Sequence, residues 1–166
     1  NHTEQMERSE ERIPEETIYI SPPGNINVWL TSKGLKILKD DEFEYTVGNC
    51  LYDSISYLIP IWEGNGKGLR QSAINWAKTE LLKRDSNWTR NMMTNFQIHQ
   101  EETYGKNSLQ DYLVYIEDPS VYATTLDLYM LTHFLKIGIN IYSLSSKCDL
   151  VNGEYKYIPN AAFSSS

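Results

Sequence analysis

The sequence predicts an α+β domain, a small mixed β-sheet flanked by helices, with a cysteine at a helix N-terminus. Three observations carry that expectation. Apolar runs of helical period alternate with short extended runs along the chain. A Gly48–Asn49 turn leads straight into Cys50 and a helical run that Pro60 stops. Asn152–Gly153, suited to the positive φ of a tight hairpin, separates residues 149–151 from residues 154–157.

In order, residues 1–16 are charged and acid-rich and predict a solvated or frayed segment. Residues 17–166 are expected to form a single domain. Residues 17–20, 27–30 and 35–38 are short extended candidates, punctuated by the 21–24 turn (Ser-Pro-Pro-Gly) and by Gly34. From Cys50, Leu51, Ile55, Leu58 and Ile59 share a helical face. Glu63 to Gly68 reads as a flexible connection; it has neither the preceding strand nor the Gly-Lys-Ser/Thr ending of a phosphate loop. Leu69 to Arg84 is the longest helix candidate, with Ala73, Ile74, Trp76, Ala77, Leu81 and Leu82 as its apolar side.

Residues 85–106 give irregular apolar spacing, and His99, among Gln and Glu residues, reads as a surface histidine. Ser108 or Asn107 is placed to cap a helix that buries Leu109, Tyr112, Leu113 and Ile116 and ends at Asp118–Pro119. Thr124 and Asp127 have capping-box spacing for a further helix through Lys136, with Gly138 as its stop. His133 falls inside that helix and reads as a packed residue rather than a chemical one. Residues 139–144 read as a strand.

Composition narrows the function. With 166 residues, 40% of them hydrophobic, the chain can bury a core without a metal or disulfide staple. A net charge of −7 argues against nucleic acid or an anionic membrane as partner, and permits a basic protein partner. Two cysteines, Cys50 and Cys148, are no disulfide framework, and no Cys/His set has zinc spacing. No metal, cofactor, oligomer, signal peptide or membrane span is expected, and a reducing, cytosolic setting is. The absence of an initial Met suggests a processed or excised domain.

Cys50 has two readings. It is a small core residue at a helix start, or it is a nucleophile whose thiolate the helix dipole and unpaired N–H groups favour. Gly48 would let the backbone aim N–H groups at an oxyanion beside the sulfur.

The run Gly48-Asn49-Cys50-Leu51-Tyr52-x-Ser54-Ile55 resembles the nucleophile motif of the OTU (ovarian tumour) cysteine proteases, D-G-N-C-[LF]-[FY]-x-[SA]-[IV]. A second stretch is also similar. Ser108-Leu109-Gln110-Asp111-Tyr112-Leu113, followed by residues 121–127 ending at Asp127, resembles the family's S-L-x-D-Y-L … x-W-G-x-x-x-E/D segment. The likeness spans roughly residues 40–145 and looks nearest to viral OTU domains.

The resemblance implies a papain-like fold and an enzyme that cleaves ubiquitin, or a ubiquitin-like modifier, at its C-terminal isopeptide bond. It implies Cys50 as nucleophile, Val47, Gly48 and Asn49 as the oxyanion loop, and Tyr122, in place of the family's tryptophan, near the substrate channel. The bland alternative for Tyr122 is an aromatic packed on the helix below. A host cytosol would be the setting for a viral or effector protein.

Two departures stand out. Val47 replaces the family's usual Asp. None of the three histidines follows residue 133, so the family's Asn/Thr-His-Phe/Tyr strand is not found. That leaves three expectations: a deubiquitinase whose last strand lies beyond Ser166, an inactive OTU-fold interaction module, or an unrelated α/β domain with a chance motif.

Overall fold

The computed structural model describes residues 34, 46–142 and 154–157. The chain divides into two compact units, one of residues 1–4, 44–139 and 157–166, the other of residues 5–43 and 140–156. The acidic segment 1–16 and the extended candidates at 17–20, 27–30 and 35–38 lie outside the described residues, as do 149–151, Asn152–Gly153 and Cys148. Gly34 is in a turn, with a φ of 75°.

The described helices all lie in the first unit. In chain order it holds α1 (Cys50–Leu58), a 3-10 turn (Pro60–Trp62), α2 (Gly66–Leu82), α3 (Asn87–Ile98), a second 3-10 turn (Gln100–Glu102), α4 (Leu109–Tyr115) and α5 (Thr125–Leu135). Two strands, β1 (Ile139–Tyr142) and β2 (Glu154–Tyr157), form a two-stranded sheet. No helix among the described residues is long and apolar enough to cross a membrane.

Helix α2 is the centre of this unit, packing against α1, α3, α4 and α5. Leu69, Ala73, Ile74 and Ala77 recur at helical spacing and are fully buried. They meet Tyr52 from α1, Tyr112 and Leu113 from α4, and Leu126, Met130 and Leu131 from α5 in one core. Beside it, Trp76 lies against Trp88 and Phe134, with ring centroids 4.9 and 5.8 Å away. Trp76 is therefore a packing residue, as expected.

Several ends differ from the sequence reading. Helix α2 begins three residues earlier than Leu69, because the Asn65 side chain accepts the Gly68 N–H at 3.0 Å. Gly66 fits there because a Cβ would stand 1.9 Å from Asp53 Oδ1, so the start of α2 abuts α1. Leu82 is not on the apolar side: it is 83% exposed, the last residue of the helix. The ambiguous 85–106 segment contains a regular helix. Ser86 caps α3 through the Thr89 N–H at 3.1 Å, and Trp88, Met92 and Phe96 are buried four residues apart.

Ser108, not Asn107, caps α4, accepting the Asp111 N–H at 3.1 Å, and α4 ends at Tyr115, before Asp118–Pro119. The capping box of α5 is formed in full by Thr124 and Asp127. Gly138 is not the stop of α5. Lys136 itself takes the left-handed position, φ 59°, while the Ile137 N–H closes on the Thr132 carbonyl at 3.2 Å.

Candidate active site

The segment before α1 is a tight turn. The Asn49 N–H donates to the Thr46 carbonyl at 2.8 Å, and Gly48 has a φ of 91°. Glycine is required twice over at that position. The left-handed conformation disfavours any side chain, and a Cβ would lie 2.2 Å from the Ser120 carbonyl oxygen. The turn thus presses its backbone against the loop after α4.

Asn49 is the residue before α1, but its side chain does not cap that helix. It is fully buried, and its Nδ2 donates to Asp53 Oδ1 at 2.7 Å while the other Asp53 oxygen accepts the Thr46 N–H at 2.7 Å. The Asp53 carboxylate therefore closes the turn from one helical turn further on.

Cys50 is the first residue of α1, partly exposed and not in a disulfide. The sequence reading expected the helix start to favour the thiolate, and the net effect is the opposite. Burial is the largest influence and pushes the thiol above its ordinary range, with the Asp53 charge adding to it. The backbone N–H groups of Cys50 and Gly48 act the other way and stabilise the thiolate. Their influence does not outweigh desolvation.

Val47 is 68% exposed at the tip of the turn. Tyr122 is half exposed in the loop after α4, and its carbonyl accepts the Tyr104 hydroxyl at 2.7 Å. The structure brings Val47, Gly48, Asn49 and Cys50 into one turn, and packs the loop that carries Tyr122 against it through Ser120.

The sequence reading missed Arg70. Its guanidinium is buried in α2 and reaches both segments. It donates to the Gly48 carbonyl at 3.2 Å and to Asn49 Oδ1 at 3.0 Å. It also donates to the carbonyls of Ile116 (2.8 Å), Pro119 (3.4 Å) and Val121 (2.7 Å). The signal was available: Arg70 shares its helical face with Ala73, Ile74 and Ala77, where a cation is out of place unless it is answered by acceptors.

The polar residues of the two motifs meet in the core. The Tyr52 hydroxyl donates to one Asp127 oxygen, and the Tyr112 hydroxyl donates to the other at 2.6 Å. Burial, followed by the Asp127 charge, holds both phenols well above their ordinary range, so both remain donors. The Arg70 guanidinium lies over the Tyr52 ring, 4.7 Å from its centroid.

His99 is not a surface residue. It is buried, with Nδ1 3.7 Å from Glu102 Oε2 and its ring beside Tyr129. The ligand atoms of His99, Glu101 and Glu102 come within 4.8 Å of one another, but Glu102 Oε1 already accepts the Thr125 N–H at 2.9 Å. Glu102 thereby supports the start of α5, its two oxygens facing the Thr125 N–H and the His99 ring.

His133 is buried, with Nδ1 2.9 Å from the Tyr129 carbonyl, as its position inside an apolar helix suggested. Burial lowers its pKa and favours the neutral ring. It borders a pocket of about 290 Å³ with Trp88, Glu80 and Lys136; the Cys50 turn does not line that pocket.

A family model described as OTU-like cysteine protease matches residues 46–166. It begins at the turn and takes in every residue of the two motifs from Thr46 onward. No curated protein and no solved structure gives a significant match.

Proposed function

The chain belongs to the OTU-like cysteine protease family, with the papain-like fold that this entails, and from that premise we propose that it cleaves ubiquitin or a ubiquitin-like modifier at its C-terminal isopeptide bond. The observation that carries the proposal is the setting of Cys50. It is a partly exposed thiol at the first position of α1, with the Cys50 and Gly48 N–H groups acting on its sulfur.

In this reading the Cys50 thiolate attacks the scissile carbonyl carbon and forms a C–S bond. The carbonyl π electrons move onto oxygen, where N–H groups of the 47–50 turn hold the charge. Each such donor contributes generically about 2.7–4 kcal/mol. Collapse breaks the C–N bond and expels the lysine amine, which takes up a proton from solvent in exchange for the one the thiol released there, and water then hydrolyses the thioester to a carboxylate and the Cys50 thiol. Val47 and Tyr122, both exposed, flank the turn and the adjoining loop and would line the path of the modifier's C-terminal tail. No cofactor takes part, and the acting unit is a monomer in the cytosol.

A second reading is favoured by the histidines. The described contacts of His99 run to Glu102 and the Tyr129 ring, and those of His133 to the Tyr129 carbonyl. In that reading the chain binds the modifier without cleaving it.

One experiment separates the two. Ubiquitin carrying a C-terminal thiol-reactive group is incubated with the chain and with Cys50→Ala. An adduct that requires Cys50 supports the protease. Binding that is unchanged by Cys50→Ala, without an adduct, supports the binding module. Neither adduct nor binding overturns both readings.

A further inference from the structure

Arg70 is a buried cation with an unusual set of partners. Among the described residues no carboxylate pairs with it. Its charge is answered by four backbone carbonyls, one amide oxygen and the face of Tyr52. Desolvating a guanidinium is costly, and dipoles offset that cost only when their geometry is good. An apolar residue here would pack α2 against its neighbours without that cost. What an apolar residue would not do is join two loops that touch each other nowhere in sequence.

The acceptors fall into two sets. Gly48 and Asn49 belong to the turn before Cys50; Ile116, Pro119 and Val121 belong to the loop that leads to Tyr122. The planar fork of arginine holds several acceptors in fixed directions at once, whereas a lysine ammonium acts as a point charge. Gly48 adds its own close approach to the Ser120 backbone, and Arg70 joins the two segments through five hydrogen bonds.

We propose that Arg70 is a positioning residue, whose guanidinium locks the 46–49 turn to the 116–122 loop and so fixes the backbone N–H groups beside Cys50 and the Tyr122 loop as one preformed surface. This rests on the protease reading for its consequence in catalysis, but the locking itself is independent of any modifier. The Gly48 N–H and the Asp53 charge both act on the Cys50 sulfur, the first favouring the thiolate and the second the thiol. Asp53, the nearby anion that raises the Cys50 thiol, is held by Asn49 and Thr46 and moves with the same turn.

The test uses the full chain and Arg70→Lys, which keeps the charge and loses the fork. Three quantities are read: thermal melting, the pH dependence of Cys50 alkylation by iodoacetamide, and adduct formation with the ubiquitin electrophile over a range of concentrations. For folded Arg70→Lys, the alkylation rate of Cys50 at a fixed pH departs from the parent's by more than about twofold. The maximal adduct rate falls by about tenfold or more, and the half-saturating ubiquitin concentration rises as well. A folded variant whose alkylation and adduct rates both stay within about twofold of the parent's overturns the proposal.

If the parent chain forms no adduct, the protease reading fails, and the alkylation profile still judges Arg70. If Arg70→Lys does not fold, hydrogen exchange on the parent chain decides. Asn49 and Val121 amides protected as strongly as the interior of α2 support the lock; exchange within about tenfold of a free peptide overturns it.

Discussion

The Tyr52 hydroxyl donates to the Asp127 carboxylate across 75 residues of chain, and the Tyr112 hydroxyl donates to the same group. One carboxylate thereby joins the helix that begins with Cys50 to α4 and to the start of α5. Asp127 also accepts the Thr124 N–H at 3.1 Å, so its two oxygens serve both a helix cap and a core network. Residues that a motif marks as belonging to a site are here the framework beneath it.

Asp127→Ala removes the acceptor of two buried phenols and one arm of the capping box. A buried donor left unanswered costs about 1–3 kcal/mol; because the Tyr112 hydroxyl keeps Thr124 Oγ1 as a partner at 2.7 Å, the pair is expected to lose about 2–4 kcal/mol in all. For a chain of this size that is a fall in melting temperature of roughly 5–15 °C. Tyr52→Phe removes one donor and leaves the acceptor partly served; its loss should be about half as large. Calorimetry on both variants checks the ratio, and equal losses would mean that Tyr52 carries the network alone.

Gly48→Ala places a methyl group 2.2 Å from the Ser120 carbonyl oxygen and demands a φ of 91° from a residue with a Cβ. The turn or the 116–122 loop must shift to accept it. A loss of about 1–3 kcal/mol in stability is expected, with at least a tenfold loss in Cys50-dependent adduct formation. Chemical denaturation and adduct kinetics measure the two effects separately. A variant that melts as the parent does and still labels at the parent's rate would show that the turn tolerates the shift.

Much of this was legible in the sequence because local physics decided it. The helix after Cys50, the Ser108 cap and the Thr124–Asp127 box depend on residues within a few positions of each other, and all are present. Helix α3 was hidden by Asn and Met residues scattered among Trp88, Met92 and Phe96, although the fourfold spacing of those three was regular. His99 was misread because its neighbours in sequence are polar, while its burial is decided by Tyr129, thirty residues away in α5. Arg70 and the thiol pKa are tertiary properties: five distant acceptors and the burial of Cys50 depend on how helices meet, and spacing alone does not encode that.

Thr124→Ala tests the cap together with its link to Tyr112. The hydroxyl accepts the Leu126 N–H at 3.1 Å and pairs with the Tyr112 hydroxyl at 2.7 Å. Loss of an N-cap costs about 1 kcal/mol, within a range of about 0.5–2, and Thr124→Ser should recover most of it. If Thr124→Ser is as unstable as Thr124→Ala in a thermal melt, the methyl group rather than the hydroxyl is what matters.

The pH dependence follows from Cys50. Its thiol is raised from an ordinary value of 9.0, chiefly by burial. The native state therefore holds its proton to higher pH than the unfolded chain does. Below the unfolded titration point both states are protonated, and the contribution to stability is fully present. As pH rises through the window between the unfolded and native values, the unfolded state releases a proton that the native state keeps, and that contribution is lost. Alkylation reports the same group: its rate at pH 7 should be a small fraction of the maximum and should climb with one-proton slope to a midpoint above 9.0. Comparing that profile with the profile in denaturant fixes the sign, since unfolding must lower the midpoint. A native midpoint below the denatured one would mean that a cationic partner, acting on the sulfur more strongly than burial does, already holds the thiolate ready for attack.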